Sequence, residues 1–554
     1  MRFRTLYGSA ATLAMALSLG GAALAEGVPV MPWFAEGQLR PALAADGAGG
    51  AWLAFKTDSL ESGLAHLAPN GLADHAWPNG IYRTGLAVVL GSPPRLLANS
   101  PDRVVLVTDY CEYNRIAMGY DAFGDTATGF PASATLFYPS PLAVMGADGR
   151  VLAAQPAALG FSSYGVRYAI VSPLGALLSE GEVTMQYRVF GSEPFAVIPD
   201  GANGAIVGMS ISITDDFSSG YDLGLLRIAA DGTRPWGNAG VIMCAANGDQ
   251  RTVRMWPDGT GGALVTWNDA RTSPAASPLD IYAARFTSAG VLAAGWTSQG
   301  KRVAAATGGQ FESRVVDDGA GGAWILWRDQ RVADIDLYFT HVLGNGAFAT
   351  GFTSAGTLLC GATGSASDPQ MVPDGAGGFF AVWLDPRDGE ADLYGTHITA
   401  AGTPAAGWPA NGLALCDDPA RQAHPAIVAT GAGKAIVAWR DERIAAGHVY
   451  TLALDDGGPV TTGVPPAQAP ALRLRAAVNP SFGLADLWLA APAGGRVDVD
   501  LLDVTGRVVR RASVSSTGAE SRVRFEAGPA APGVYFATAR QGAHRATVRL
   551  CVLR

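Results

Sequence analysis

Cysteine is scarce: five in 554 residues, an odd number in a long chain, which excludes a disulfide framework of the small secreted type. Charge is scarce as well, at 16% of residues. After the N-terminus no window sustains a helical hydrophobic period, and no segment reaches the roughly 20 apolar residues of a spanning helix. No transmembrane segment is therefore expected. The seven histidines form no His-x-x-x-His pair, and there is no Gly-x-Ser-x-Gly, no Cys-x-x-Cys and no complete phosphate loop. Gly431-Ala-Gly-Lys434 is only a turn. The usual signatures of zinc, serine-hydrolase, thiol-redox and nucleotide chemistry are missing.

What the chain has is repetition. Trp267-x-Asp269-x-Arg271 returns as Trp327-x-Asp329-x-Arg331, Trp383-x-Asp385-x-Arg387 and Trp439-x-Asp441-x-Arg443, at spacings of 60, 56 and 56 residues. A fixed period of this size marks an architecture before it marks an active site. An Asp-Gly-x-Gly-Gly turn (258–262, 318–322, 374–378) precedes each of the first three copies, and Asp-[Ile/Leu]-Tyr follows (280–282, 336–338, 392–394). Glycines suit the positive φ of a tight hairpin turn, and the flanking runs PQMVP and FFAVW read as its two arms. Each unit reads as four antiparallel strands, the size of a β-propeller blade.

Degenerate copies extend upstream. Asp46-Gly-Ala-Gly-Gly and Asp200-Gly-Ala-Asn-Gly are good turns, and Ser100-Pro-Asp-Arg103 and Gly146-Ala-Asp-Gly149 are faint ones. Turn counting gives eight units, starting near 41, 97, 144, 195, 253, 313, 369 and 425, with seven as the alternative. The eighth lacks a closing segment, and Trp33-Phe-Ala-Glu-Gly37 resembles one, so an N-terminal strand is expected to complete the last blade and remove its open edge. The expected fold is all-β: a closed propeller over 26–458, a Pro/Gly-rich linker over 459–471, and a small sandwich of about seven strands over 472–554.

The first 25 residues read as a secretory signal peptide: Arg2 and Arg4, an apolar stretch to about Gly21, then Ala23-Leu-Ala25 as a small-x-small cleavage site. A retained anchor is the alternative, disfavoured by the short apolar core. Charge is distributed unevenly. Residues 472–554 carry about +6 and the leader +2, leaving about −17 on the rest. An acidic middle makes nucleic acid a poor partner.

The C-terminal segment carries Asn479-Pro480, then Asp503-Val-Thr-Gly506-Arg507-Val-Val509, then Gly533-Val-Tyr535, ending in the apolar-basic run Arg549–Arg554. These residues resemble the C-terminal sorting domain of proteins exported by the type IX secretion system, and the related Ig-like domain of the flagellar hook-cap protein. The resemblance covers about 85 residues. Arg549 and Arg554 stand in the tail where the sorting signal commonly has Lys. The resemblance implies a β-sandwich recognised by outer-membrane secretion machinery, and a protein secreted from, or tethered to, a two-membrane bacterium. The middle region looks like repeats common in large secreted bacterial proteins, which implies a propeller and no activity.

The candidate sites have bland alternatives. Trp-x-Asp-x-Arg reads as an intrablade lock, with Arg271 pairing Asp269 or Asp280; at an exposed edge such a pair is worth roughly 0–1 kcal/mol. Its functional alternative is a ring gripping an anionic sugar, but the Ser-x-Asp-x-Gly-x-Thr-Trp boxes of sialidase-type propellers are missing. The turn aspartates could suit calcium, yet one carboxylate per turn is too few, so no cofactor or metal is expected. His341 and His397 occupy one repeat position, filled by Arg285 in the neighbouring unit. Cys244, Cys360 and Cys416 share another, as small buried apolar groups; Cys111 and Cys551 have no evident partner. Asp109, Tyr110, Glu112, Tyr113 and Arg115 depart from the repeat, and the first four are speculative ligand contacts. Two function classes stay open: a non-enzymatic exported platform for a protein or glycan ligand, and a carbohydrate-binding or glycan-cleaving propeller, whose site would be built from scattered residues.

Overall fold

The computed structural model describes residues 28–29, 38–57, 62–73, 82–83, 95–100, 103–110, 114–121, 142–158, 164–185, 188–189, 195–213, 220–272, 279–443, 447–460, 472–476, 481–482, 486–491, 495–516, 521–525, 532–542 and 544–553. Its regular elements are strands alone among these residues.

The sixth repeat shows why the sequence folds as it does. Gln310–Asp317, Ala323–Asp329, Asp336–Val342 and Thr357–Cys360 pair antiparallel in that order. The middle strands bury almost every residue, because sheets cover both of their faces and the runs are continuously apolar. The turn between the first two strands has Gly319 at φ 71° and Gly321 at φ 84°. A Cβ on Gly322 would stand 2.5 Å from the Val342 carbonyl oxygen, so only glycine fits there.

Seven further sheets repeat this plan. The first runs from Gln38–Ala45 to Tyr82–Arg83, the third from Leu142–Met145 to Leu177–Thr184, the fifth from Gln250–Pro257 to Lys301–Ala304, and the seventh from Ser367–Pro373 to Leu413–Cys416. The second has three strands among the described residues, Arg95–Ser100 to Asn114–Asp121. In the fourth, Arg188–Val189 and Ala196–Pro199 share one edge of Ala205–Ser212. The eighth holds Gln422–Gly431, Lys434–Asp441 and His448–Asp455.

An N-terminal strand does complete that last sheet. It is Val28–Pro29, paired with Tyr450 and Thr451; Trp33–Gly37, the segment expected there, lies outside the described residues. Two residues of backbone pairing leave almost no side-chain signature in a sequence.

The first strand of each sheet contacts the first strand of the next, from sheet one to sheet eight, and Gln422–Gly431 contacts Gln38–Ala45 in turn. The cores follow the same order. Each of eight buried clusters joins two consecutive sheets, and the one that unites Leu53 and Phe55 with Ile436 and Val449 joins the first to the eighth. The apolar driving force therefore lies between sheets, each face being buried only by its neighbour.

Residues 472–553 form two further sheets on one core. Arg473–Ala476, Asp486–Ala490 and Ser521–Arg524 make one; Ser481–Phe482, His544–Leu553, Gly533–Gln541, Gly495–Asp503 and Val508–Ser516 make the other. Leu487, Leu489, Val497, Val499, Ala537 and Leu550 are buried together. Eight strands are described where seven were expected; the additional short one, Ser481–Phe482, runs parallel to the end of His544–Leu553. No helix among the described residues is long and apolar enough to cross a membrane.

Candidate functional site

The Trp-x-Asp-x-Arg residues come together in each of four sheets. Strand alternation puts Trp327 and Asp329 on one face, and the indole N–H donates to Asp329 Oδ2 at 2.8 Å. Arg331, just past the strand end, donates from its backbone N and its Nε to Oδ1, each at 2.9 Å, and from Nη2 to Oδ2 at 2.6 Å. Its guanidinium lies 3.6 Å from the Tyr338 ring centre. Sheets five and eight repeat the fork and sheet seven repeats it without the Nε bond, with Nη2 to carboxylate distances of 2.6, 2.8 and 2.5 Å. Trp267, Trp327, Trp383 and Trp439 have no exposed surface.

The geometry sharpens three expectations. The pair is not an exposed-edge contact, because the carboxylates are buried and the guanidinium groups nearly so. Arg271 chooses Asp269, while Asp280 takes Arg302 and Thr272. The repeated cysteines are not merely apolar filler either. Cys360 and Cys416 donate to Asp385 and Asp441 of the following sheet at 3.3 and 3.4 Å, and Arg271, Arg387 and Arg443 donate to the sulfurs of the preceding sheet. The motif thus locks its own sheet and ties it to the one before. Burial alone would raise Asp441, but the Arg443 and Trp439 hydrogen bonds override it and hold its carboxyl below the usual range; Asp385 behaves alike. The thiols move the other way, burial pushing Cys244 up to about 11 and Cys360 and Cys416 to about 12. A pairwise spacing cannot reveal a contact between repeats, so sequence reading missed it. It also missed Gly300, Gly356 and Gly412, where a Cβ would stand 2.1–2.5 Å from the Trp ring; the recurrence of glycine before each closing strand was the available signal.

The turn aspartates are equally occupied. Asp318 Oδ1 accepts from Ala320 N and Gly322 N at 2.8 and 2.7 Å, and His341 Nε2 lies 2.8 Å from Oδ2. Asp374 meets His397, Asp46 meets His66, and Asp258 and Asp200 receive Arg285 and Arg227. The shared position of His341, His397 and Arg285 is therefore a turn-stapling position. Among the described residues no three His, Cys, Asp or Glu side chains converge.

A different set of residues was not foreseen. In five sheets the innermost strand carries a β-bulge, at Leu39/Ala42, Arg251/Arg254, Phe311/Arg314, Ser367/Gln370 and Ala423/Ala426. At the same point of each bulge stands a non-glycine residue of positive φ: Arg40 at 47°, Thr252 at 60°, Glu312 at 52°, Asp368 at 48° and His424 at 53°. Such a conformation costs of order 1–3 kcal/mol for a residue with a Cβ, and is most unusual for a β-branched one. Two residues on, at one repeat position, stand Arg254 and Arg314; strand pairing puts Arg95 of the second sheet there as well. Burial, and secondarily the Arg314 charge, push Arg254 down to about 10. Burial also lowers Arg314 and Arg95, although all three keep accessible surface.

The other expected residues are placed as follows. Asp109, Tyr110 and Arg115 lie at the adjoining ends of Arg103–Tyr110 and Asn114–Asp121; Glu112, Tyr113 and Cys111 lie outside the described residues, as do Asn479 and Pro480. Asp503 caps the hairpin at Gly506 (φ 82°), accepting from Thr505 N, Thr505 Oγ1 and Arg507 N. Gly533 opens the strand that buries Tyr535.

No protein-family model matches the chain, and no curated protein does. Among solved structures it is similar to β-propellers. The Dos1 propeller shares 10% identity at a TM-score of 0.42, over 76% of this chain and 97% of that one. An ulvan lyase of polysaccharide lyase family PL25 shares 10% at 0.40, over 78% and 97%. An endo-arabinase from Bacteroides thetaiotaomicron shares 10% at 0.27, over 49% and 94%. At such identity and overlap, what those proteins bind or cleave says nothing about this chain.

Proposed function

We propose that this chain is an exported, non-enzymatic binding platform. In this reading residues 26–458 form a closed propeller of eight blades, 459–471 a linker, and 472–554 an Ig-like sorting domain engaged by outer-membrane secretion machinery, after a signal peptide is removed near Ala25. Closure at eight is supported by the inner-strand contact between Gln422–Gly431 and Gln38–Ala45 and by the Val28–Pro29 pairing. The observation that carries the platform reading is the saturation of the repeat chemistry. Each motif carboxylate receives its own Trp and Arg, and each turn carboxylate its own backbone and a His or Arg. Charged groups paired this way stiffen a scaffold and are withheld from a substrate. The strained inner strands are left as the surface free to specialise, for a protein or a glycan ligand.

Export is tested by fractionating cells that express the full chain and a chain ending at 471. The reading expects the full protein outside the cell and the truncated one folded in the periplasm. Equal amounts outside in both cases would reduce 472–554 to a structural appendage.

A further inference from the structure

We infer that the inner strands of the fifth and sixth sheets form an oxyanion-binding site, in which Arg254 and Arg314 grip a sulfate, phosphate or carboxylate group. The inference rests on the platform reading and names the ligand chemistry of its inner wall.

The two arginines occupy one repeat position on adjacent strands that touch each other. Among the described residues each donates to the carbonyl of the residue before it, Arg254 to Val253 at 3.3 Å and Arg314 to Ser313 at 3.2 Å. Neither forms an ion pair among the described residues, in contrast to the arginines of the locks. The nearby acids are engaged elsewhere: Glu312 accepts from Arg328 Nη1 at 3.1 Å, and Asp368 from Gln370 Nε2 at 2.7 Å. Both guanidinium groups lose hydration on partial burial, and at Arg254 the repulsion from Arg314 outweighs the attraction of Glu312. A planar guanidinium pair in that setting is suited to a bidentate oxyanion.

The bulges supply an independent observation. Glycine takes 34 of the positive-φ positions in the described residues, and only eight fall to other residues. Five of those eight are the bulge residues Arg40, Thr252, Glu312, Asp368 and His424; the other three, Asn203, Gln299 and Asn411, lie in turns. A chain so rich in glycine could relax every bulge and does not. Retaining a different polar side chain in each, beside the arginine position, is what a wall shaped for a particular ligand requires. Arg95, at the same repeat position in the second sheet, adds positive charge to the same wall.

The test is calorimetric titration of the full chain at fixed ionic strength with sodium sulfate and, separately, with digalacturonate, alongside Arg254→Gln, Arg314→Gln and Arg254→Lys. Wild type should take up one equivalent of at least one probe. Preference for sulfate points to a free or ester oxyanion, and preference for digalacturonate to an acidic saccharide. Each Gln variant should bind about tenfold more weakly or worse, because a lost charged hydrogen bond costs that much, and Arg254→Lys should fall between. Melting temperatures in chloride separate a ligand role from a structural one. Each Gln variant should melt at or above wild type, since it removes a repulsion. No uptake of either probe, uptake unchanged in both Gln variants, or Gln variants that melt well below wild type would each overturn the inference. Export and ring closure are measured on anion-free wild type, so a closed, exported protein that ignores both probes loses only this site.

Discussion

At Asp441 the Trp-x-Asp-x-Arg motif supplies four donors to one carboxylate, Trp439 at 3.1 Å, Arg443 N and Nε at 2.9 Å and Nη2 at 2.8 Å, and Cys416 of the preceding sheet adds a fifth. Removing the acid takes from the nearly buried Arg443 guanidinium the carboxylate that accepts its Nε and Nη2, so Asp441→Ala should cost about 3–5 kcal/mol by denaturant unfolding. A loss under 1 kcal/mol would return the pair to surface status. The pH dependence has a definite sign. Hydrogen bonding holds Asp441 and Asp385 below their unfolded values, against burial that would raise them, so their contribution is full above about pH 4 and fades as pH falls through the folded values. Asp392 does the opposite. Burial, then Asp388 and Asp417, push it up to about 6; a raised acid costs stability progressively as pH rises from about 4 to 6. Asp392→Asn should therefore raise the melting temperature at pH 7 and leave it unchanged near pH 3; a lower value at pH 7 would mean that Asp392 has a stabilising partner when ionised. The thiols give a third check. With Cys360 and Cys416 raised to about 12 by burial, the three buried cysteines should resist a thiol reagent at pH 8 and react together on unfolding.

Elements were the most legible scale, and for a physical reason. Asp-Gly-x-Gly-Gly is a local necessity: Gly322 has a carbonyl where a Cβ would go, and Asp318 must reach two backbone N–H groups. Local necessity repeats verbatim, so the hairpins of sheets five to seven could be read from spacing alone. The outer strand Val28–Pro29 could not be, because its partner lies more than 400 residues away and only backbone is involved. The Cys416–Asp441 contact and the inner-strand arginines were hidden likewise. They join neighbouring repeats, and within a single unit Arg254 is one more polar residue on a strand. The short N-terminal strand carries its own prediction. A chain truncated to begin at residue 31 lacks the strand that pairs with His448–Asp455 over Tyr450 and Thr451, and exposed edges invite association. It should melt several degrees lower and show oligomers by light scattering; an unchanged monomer would mean that the two-residue strand contributes nothing.

On the scale of the molecule, stability in a repeat array is a sum of unit and neighbour terms, and an open array frays from its ends. A closed one has no ends. The first and eighth sheets share a buried cluster of Leu53, Phe55, Ile436 and Val449, and Thr451 Oγ1 donates to Gly71 O across the junction at 2.7 Å. In the proposed closed ring these contacts would make the terminal sheets equal partners of the interior ones. Hydrogen exchange of the native protein, followed by mass spectrometry, measures that equality directly. Amides of Ala51–Thr57 and Lys434–Asp441 should be protected to within about tenfold of those of Ala323–Asp329, because the same neighbour terms hold all three. Exchange of the two terminal sheets at loop rates, with Ala323–Asp329 still protected, would mean an open arc and contradict the closed ring.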